Sequence, residues 1–487
     1  MPASVLDRPP HPWSGGSPCV VIDGPSPRAV LHHPDAGHKD TARRVADWAM
    51  SRLANRAATP VAEPTAGSPL PDITSTGIGT ARAWEVLRDD VLATARATDH
   101  PRFLAFVPGA ASVAAVLADM AVSGAGIYAG SELEGGAVVT AERAALRWLA
   151  DLIGLPVGAH GAFVSGGSMA NLSALVVARH ATRRRRGSQP SVLISGASAH
   201  ASVAAAAGVM GCEYISLGEP DGRLRAESVL DVLRHLDPAD VAAVVATAGA
   251  TNTGSVDELD EIARVCRAHG VWLHVDAAYG GAALLSSRTR DAFAGIESAD
   301  SVTIDPHKWL FTPFDCAAVI YREPALARAS HTQTAPYLDA VQGTDYDNPA
   351  DYALHLSRRP RGLPLWMSLL AHGTEAYERS VEMCLDLADY AAARVRRSGA
   401  LALAADPCLS VVAFQRIGWT RADYERWSLS ARRRGLGLVT PTVIAGCDAL
   451  RFCFVNPQTT TADIDLLLAD IVAFGAGGDL FDRALQG

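Results

Sequence analysis

A lysine, an aspartate and a glycine turn, each beside an apolar run, are the residues of this chain best placed to do chemistry. Lys308 follows Ser301-Val302-Thr303-Ile304-Asp305-Pro306-His307, a short apolar strand leading into a turn. Asp276 ends a second apolar run, Val271-Trp272-Leu273-His274-Val275. Further upstream, Phe163-Val164-Ser165-Gly166-Gly167-Ser168-Met169-Ala170-Asn171-Leu172 reads as a glycine turn opening a helix near Asn171. An amine can condense with an aldehyde, and a carboxylate can keep a pyridine-type nitrogen protonated. Glycines ahead of a helix let backbone N–H groups and the helix dipole meet a phosphate. Pyridoxal 5'-phosphate needs all three grips, so it is the expected cofactor and Lys308 its Schiff-base lysine.

Each feature also has a plainer reading. Asp276 could cap the turn that follows it, and Ser168 could serve as a helix N-cap. The order of the three together favours the cofactor. His200 follows the run Val192-Leu193-Ile194-Ser195 and precedes a small-residue helix over 201–208, which suits an imidazole stacked on a flat ring. Thr251 follows the run Val241 to Thr247, where its hydroxyl can reach a ring substituent.

These residues need strand ends to present them. From about Pro101 the sequence alternates short apolar runs with helical periodicity. Strands are expected at 191–195, 241–247, 271–275, 301–304 and 317–321, with a helical stretch over 256–269. That alternation predicts an α/β domain with a mostly parallel sheet. A long helical stretch from Trp366 to about Arg397, then strands near 409–416 and 450–455, predicts a small C-terminal α+β domain. Helices are expected over 40–54 and 84–97, joined by a Pro-, Ala- and Thr-rich linker over 55–79. The first thirty residues hold seven prolines and read as an extended arm.

Bulk properties narrow the function. With 43 basic and 52 acidic residues the net charge is −9, against a general affinity for nucleic acid or anionic membrane. The arginine runs at 183–186 and 432–434 fall at expected helix C-termini, where cations suit the dipole. The eight cysteines form no C-x-x-C pair. No apolar stretch reaches the roughly 18 residues of a membrane span, and the start lacks a signal-peptide pattern. A cytoplasmic protein is the expectation.

The chain resembles the group II pyridoxal-phosphate decarboxylases, which act on aromatic amino acids, glutamate or diaminobutyrate. The resemblance runs from about His100 to the C-terminus. Asp305-Pro306-His307-Lys308-Trp309 is its most specific element, joined by His274 to Tyr279, Ser165 to Ser168, Arg358-Arg359 ahead of Leu365-Trp366, and Leu450-Arg451-Phe452. It implies the aspartate-aminotransferase-like fold, fold type I, and a homodimer. It also implies N-terminal helices over 1–98 that wrap the partner, a large cofactor domain over 99–373 and a small domain over 374–487. By the same resemblance Asp276 meets the pyridine nitrogen and His200 stacks on the ring, with Ala278 on the other face and Thr251 nearby. Gly167, Ser168 and His307 hold the phosphate, and Tyr337, on a lid after the lysine, protonates the carbon left by departing carbon dioxide.

The implied reaction is decarboxylation of an L-amino acid, with an aromatic one the best guess. Two departures keep other substrates open. The segment 127–136 is glycine-rich and carries Glu132 and Glu134, which could pair with a basic substrate, and Gly109 opens the segment that begins at Phe106. Arg451 could bind an acidic one. Aldehyde-synthase chemistry is the other alternative, and the tyrosine at 337 argues against it.

Overall fold

The computed structural model of the chain describes residues 32, 36–59, 61, 69–187, 189–218, 221–341 and 346–475. The expected proline-rich arm over the first thirty residues lies outside these residues. The chain divides into two compact units, one of residues 1–54 and 64–95 and the other of residues 55–63 and 96–487. In the first, α1 (Ala36–Ala54) packs on α2 (Thr80–Val86), with Trp48 edge-on to Trp84 at 5.6 Å. The helix expected over 84–97 starts earlier, at Thr80, and loosens to a π turn over Leu87–Val91 before a tight turn at Leu92–Thr94.

The second unit begins with α3 (Val113–Ala125), α4 (Glu132–Gly135) and α5 (Ala137–Ile153). Strands and helices then alternate as β1 (His160–Val164), α6 (Gly167–Arg186), β2 (Val192–Gly196), α7 (Ala201–Met210), β3 (Glu213–Leu217), α8 (Ala226–Leu233), β4 (Val241–Thr247), α9 (Leu259–His269) and β5 (Leu273–Asp276). β6 (Ser301–Ile304) and β7 (Ala317–Tyr321) follow. All seven strands join one sheet in the order β1-β7-β6-β5-β4-β2-β3. The run from β3 to β6 is parallel, and β7 pairs antiparallel with both β6 and β1. Every residue of β4, β5, β6 and β7 is buried. Helices cover both faces of such a sheet, which is why these strands are mostly apolar and do not alternate. One core, with Leu149, Val244 and Ile304, fills one face; another, with Leu175, Val203 and Val319, fills the other.

After α10 (Pro324–His331), the expected helix from Trp366 to Arg397 is two helices, α11 (Leu363–His372) and α12 (Thr374–Arg397). Gly373 separates them at φ +71°, a conformation that favours glycine. A four-stranded antiparallel sheet follows, built from β8 (Leu401–Leu403), β9 (Val411–Arg416), β10 (Pro441–Ile444) and β11 (Cys447–Cys453) in the order β10-β11-β9-β8. α13 (Arg421–Arg433) and α14 (Thr461–Ala473) each start with a capping box, Thr420 with Asp423 and Thr460 with Asp463. α12 turns Tyr377, Val381, Cys384, Ala388 and Val395 inward as one apolar stripe.

A buried ion pair ties α5 to the segment before α11. Arg358 meets both oxygens of Glu142 at 2.6 and 2.7 Å, and Glu142 also accepts from the Gly362 N–H at 2.7 Å. Both side chains are almost wholly out of water. Strand register levels the functional edge: Thr247 pairs with Asp276, and Asp276 with Thr303. The carboxyl ends of β4, β5 and β6 thus lie side by side, where open α/β sheets bind ligands. Among the described residues, no helix is long and apolar enough to cross a membrane, and no group of three or more His, Cys, Asp or Glu gathers to hold a metal.

Candidate active site

A cavity of about 290 Å³ opens at those strand ends. Gly167, Ser168, His200, Thr251, Asp276, Ala278, His307 and Lys308 all line it, joined by Asn171, Asp305 and Phe314. At one end stands the start of α6. Its cap is Gly166, which has no side chain to offer, and the helix begins at Gly167, earlier than the Asn171 expected from sequence. Ser168 is therefore inside the first turn and is not the cap. With the Gly167 N–H turned to Asp305 and the Met169 and Ala170 N–H groups to the Gly166 carbonyl, the Ser168 N–H and the helix dipole remain for an anion. Neighbouring side chains crowd the turn, since a Cβ on Gly167 would lie 2.9 Å from Asp305 Oδ2 and 3.2 Å from Ala278 Cβ.

Lys308 occupies the turn after β6, its Nζ 3.0 Å from Asp305 Oδ2. The same oxygen accepts the Gly167 N–H at 3.1 Å. Burial opposes the charged lysine, but the carboxylates of Asp305 and Asp276 outweigh it and hold the amine's pKa above its ordinary value. His307 donates from Nδ1 to the Cys316 carbonyl at 2.6 Å, and its ring packs 4.9 Å from Phe314. Burial lowers the His307 pKa, with the Asp305 carboxylate pulling the other way.

Asp276 is the last residue of β5. Its Oδ1 accepts from the Ala278 N–H at 3.1 Å and its Oδ2 from Asn171 Nδ2 at 2.8 Å. His200 caps α7, its Nδ1 accepting from the Ser202 N–H at 3.2 Å. Buried polar atoms of cavity-lining residues have no hydrogen-bond partner in the chain itself: Asp305 Oδ1, Ser198 Oγ and Thr247 Oγ1. An uncapped helix start, a lysine, a strand-end carboxylate and orphaned polar atoms around one cavity are the donor set that pyridoxal phosphate needs. The residues fit that group.

Tyr337 is elsewhere. It sits in the tight turn Pro336–Leu338, 76% exposed, and lines a second cavity of about 290 Å³ with Tyr128, Ser131 and Glu134. Lys308 is not among that cavity's lining residues. Of the two acidic residues nearby, Glu132 is held by Arg143 through two bonds of 3.1 and 3.0 Å and also accepts from the Asp347 N–H. Glu134 accepts from Ser131 Oγ at 2.7 Å in the cap of α4. Arg451 donates from Nη2 to the Phe106 carbonyl at 3.0 Å, while its buried Nη1 has no partner in the chain. Several other cavity residues, Asp305, Asn171, Phe314, Ser198 and Thr247 among them, were not singled out from sequence. Asp305 carried a signal, three residues before Lys308 within one turn; Asn171 carried none beyond its place in the glycine-turn motif, and Phe314 none.

A family model described as the pyridoxal-dependent decarboxylase conserved domain matches residues 83–417. The chain is 32% identical over 391 residues to an aromatic-L-amino-acid decarboxylase of Bacillus atrophaeus, covering 77% of this chain and 81% of the relative. It is 30% identical over 407 residues to an L-2,4-diaminobutyrate decarboxylase of Rhizobium meliloti, covering 80% and 81%. Among solved structures, TDC of Oryza sativa, crystallised with PLP and tryptamine, superposes with a TM-score of 0.83 at 23% identity over 92% of this chain and 98% of that one. The architecture is thus that of fold type I.

Proposed function

The chain belongs to the pyridoxal-dependent decarboxylase family, a group of amino-acid carboxy-lyases that use pyridoxal phosphate, and from that membership we propose that its substrate is an aromatic L-amino acid. The observation that carries the reading is Phe314, which lines the cofactor cavity yet is 59% exposed. A second exposed ring, Phe106, stands on the segment whose Gly109 backs onto the Lys308 backbone. Uncovered aromatic surface beside a reaction centre favours an aromatic side chain. Glu132, already paired with Arg143, is unavailable to a cationic one.

When bound, the cofactor supplies an aldehyde for the substrate amine and a ring that takes up the electron pair released with carbon dioxide. The chain does the rest. The Ser168 N–H and the dipole at the start of α6 would hold the phosphate, Asp276 would keep the ring nitrogen protonated, and His200 and Ala278 would flank the ring. Lys308, once it has lost its proton, would supply the amine that holds the aldehyde until the substrate amine takes its place. Tyr337 delivers a proton to the substrate α-carbon, which favours amine over oxygen-consuming aldehyde formation.

Tyr337 lies outside the Lys308 cavity of its own chain, so the reading includes a homodimer in which it serves the partner's site. Exposed Leu117 and Met120 on α3, with Met367 and Leu370 on α11, support an apolar face for that contact, as these two helices pack side by side. The free thiols of the seven described cysteines support a reducing, cytoplasmic setting. One observation favours a second substrate reading. Glu134 and Asp351 line the Tyr337 cavity without any lysine, arginine or histidine among its lining residues, which suits a basic side chain. Comparing kcat/KM for tryptophan, tyrosine, lysine and glutamate separates the readings. A clear preference for lysine defeats the aromatic proposal.

A further inference from the structure

One side-chain amide joins the two arms that grip the cofactor ring. Asn171, one turn into α6 and 1% exposed, directs Nδ2 to Asp276 Oδ2 at 2.8 Å and to Ser202 Oγ at 3.0 Å. Its Oδ1 faces His274 Nε2 at 3.1 Å. His274 lies two residues before Asp276 on β5 and hence on the same face of the strand. Its Nδ1 meets Ser301 Oγ at 2.8 Å, and that oxygen also receives the Trp272 indole N–H at 2.9 Å. On the other arm, Ser202 Oγ stands 2.9 Å from His200 Nδ1.

The Asp276 end of this network fixes the amide of Asn171 and, through it, the proton on His274 Nε2. An indole N–H can only donate, and a carboxylate can only accept. Asp276 therefore requires the NH₂ of Asn171 on its side; the flipped amide would put oxygen against oxygen at 2.8 Å. The amide oxygen then faces His274 and needs an N–H there, so Nε2 carries the proton, with Thr303 Oγ1 a weaker second acceptor at 3.4 Å. Ser301 accepts from Trp272 and, with the His274 ring neutral, donates to its bare Nδ1. The second amide hydrogen goes to Ser202, whose own hydrogen goes to His200 Nδ1, already an acceptor for the Ser202 N–H. His200 keeps its proton on Nε2.

We propose that Asn171 is a positioning residue that sets the proton pattern on both sides of the ring: it keeps the Asp276 carboxylate from being neutralised by an imidazolium at His274, and through Ser202 it fixes His200 with its N–H on the edge away from α7. The charged group facing His274 is Asp276 on its own strand; β6 presents only the hydroxyls of Ser301 and Thr303, and α6 the amide of Asn171. Burial pushes the His274 pKa down to about 4, against the pull of Asp276, so the neutral ring persists through the working pH range. The whole negative charge of Asp276 is then left for the ring nitrogen. This rests on the reading of Asp276 as the nitrogen's partner, but the histidine signals below report on the amide whether or not that reading holds.

The test uses full-length protein with ¹⁵N-labelled imidazoles, with and without pyridoxal phosphate, and identifies the His274 signal by its loss in His274→Gln. In the wild type, His274 should be neutral and protonated on Nε2 from pH 6 to 9. A protonated Nδ1, or a charged ring in that range, overturns the proposal without any variant at Asn171. Asn171→Asp places a second carboxylate against His274 and should convert it to imidazolium. The same change should weaken cofactor binding about ten- to a hundredfold, as expected for loss of a hydrogen bond to a charged group, and make the bound cofactor's absorbance depend on pH where the wild type is flat. kcat should fall with KM little changed. Ser202→Ala cuts only the His200 arm, so His274 should stay as in the wild type while the His200 signal changes. A folded Asn171→Asp with neutral His274 and wild-type cofactor affinity and spectrum would show that the amide is merely structural.

Discussion

Replacing Asp305 by asparagine tests whether neighbouring carboxylates hold Lys308 as an ammonium. Asp305 Oδ2 is 3.0 Å from Lys308 Nζ, and the carboxylate is 1% exposed. Burial favours the neutral amine, and Asp305 contributes more than Asp276 to overcoming it. A pair of unit charges at that distance attracts by about 5 kcal/mol at an effective dielectric near 20, an upper limit because the burial cost is already inside the balance. The net worth of a hydrogen bond to a charged group, about 1.5–3 kcal/mol, is the safer scale. Its loss raises the fraction of free amine about ten- to a hundredfold at neutral pH. Asparagine keeps an oxygen for the Gly167 N–H, so the turn at the start of α6 should survive. The assay mixes cofactor-free protein with pyridoxal phosphate in a stopped-flow spectrophotometer and follows covalent capture from pH 6 to 10. In the variant, capture should be faster at neutral pH and its pH midpoint should move down. The linkage runs the same way. A lysine with a raised pKa stabilises the fold below its unfolded pKa and loses that contribution as pH rises through the folded value. The wild type's stability advantage over Asp305→Asn should therefore be present at pH 7 and vanish at strongly alkaline pH. An unchanged midpoint and an unchanged rate would refute the argument.

Tyr337→Phe should lower amine formation by about a hundredfold to ten-thousandfold while leaving cofactor affinity alone, and under air should divert product to aldehyde with oxygen uptake, read with an oxygen electrode. Asp276→Asn should keep the fold, read by circular dichroism, yet cut turnover by about a hundredfold or more, since aligned charge of this kind supplies several kcal/mol; near-normal turnover removes Asp276 from the reaction. Arg358→Met leaves Glu142 buried and unpaired and should cost about 3–5 kcal/mol in denaturant unfolding, and adding Glu142→Leu should recover much of that loss.

What the sequence reveals follows from how each element is covered. β4, β6 and β7 match their expected ranges because both of their faces are buried and nearly all their positions are apolar or small and uncharged. β3 escaped notice because it is the sheet's edge strand, half in solvent, and Glu213 and Ser216 break its apolar run. β1 is short, and its glycine and histidine disguise it. The long helix expected after Trp366 gave no hint of its break except Gly373, since the apolar stripe runs on either side of it. Around the cofactor cavity, residues within a few positions of Lys308, Asp276 or Gly167 are readable because strand ends and one helix turn bring them together. Asn171 is different: its importance comes from three partners on β5 and α7, far away in sequence, and no local pattern marks it. Tyr337 shows the same limit, for its distance along the chain from Lys308 says nothing of which cavity it enters.

That separation of Tyr337 from Lys308 has a genetic reading. If each centre in the dimer takes its lysine from one copy and its tyrosine from the other, two inactive alleles can rescue each other. A cell making Lys308→Ala chains alongside Tyr337→Phe chains would assemble mixed pairs in which one centre has lost both groups and the other is intact. Random pairing of equal amounts would restore roughly a quarter of the wild-type centres, although neither protein alone supports the reaction. The lysine allele would not be dominant over the wild type, since in a mixed pair its intact tyrosine still completes the centre that holds the wild-type lysine.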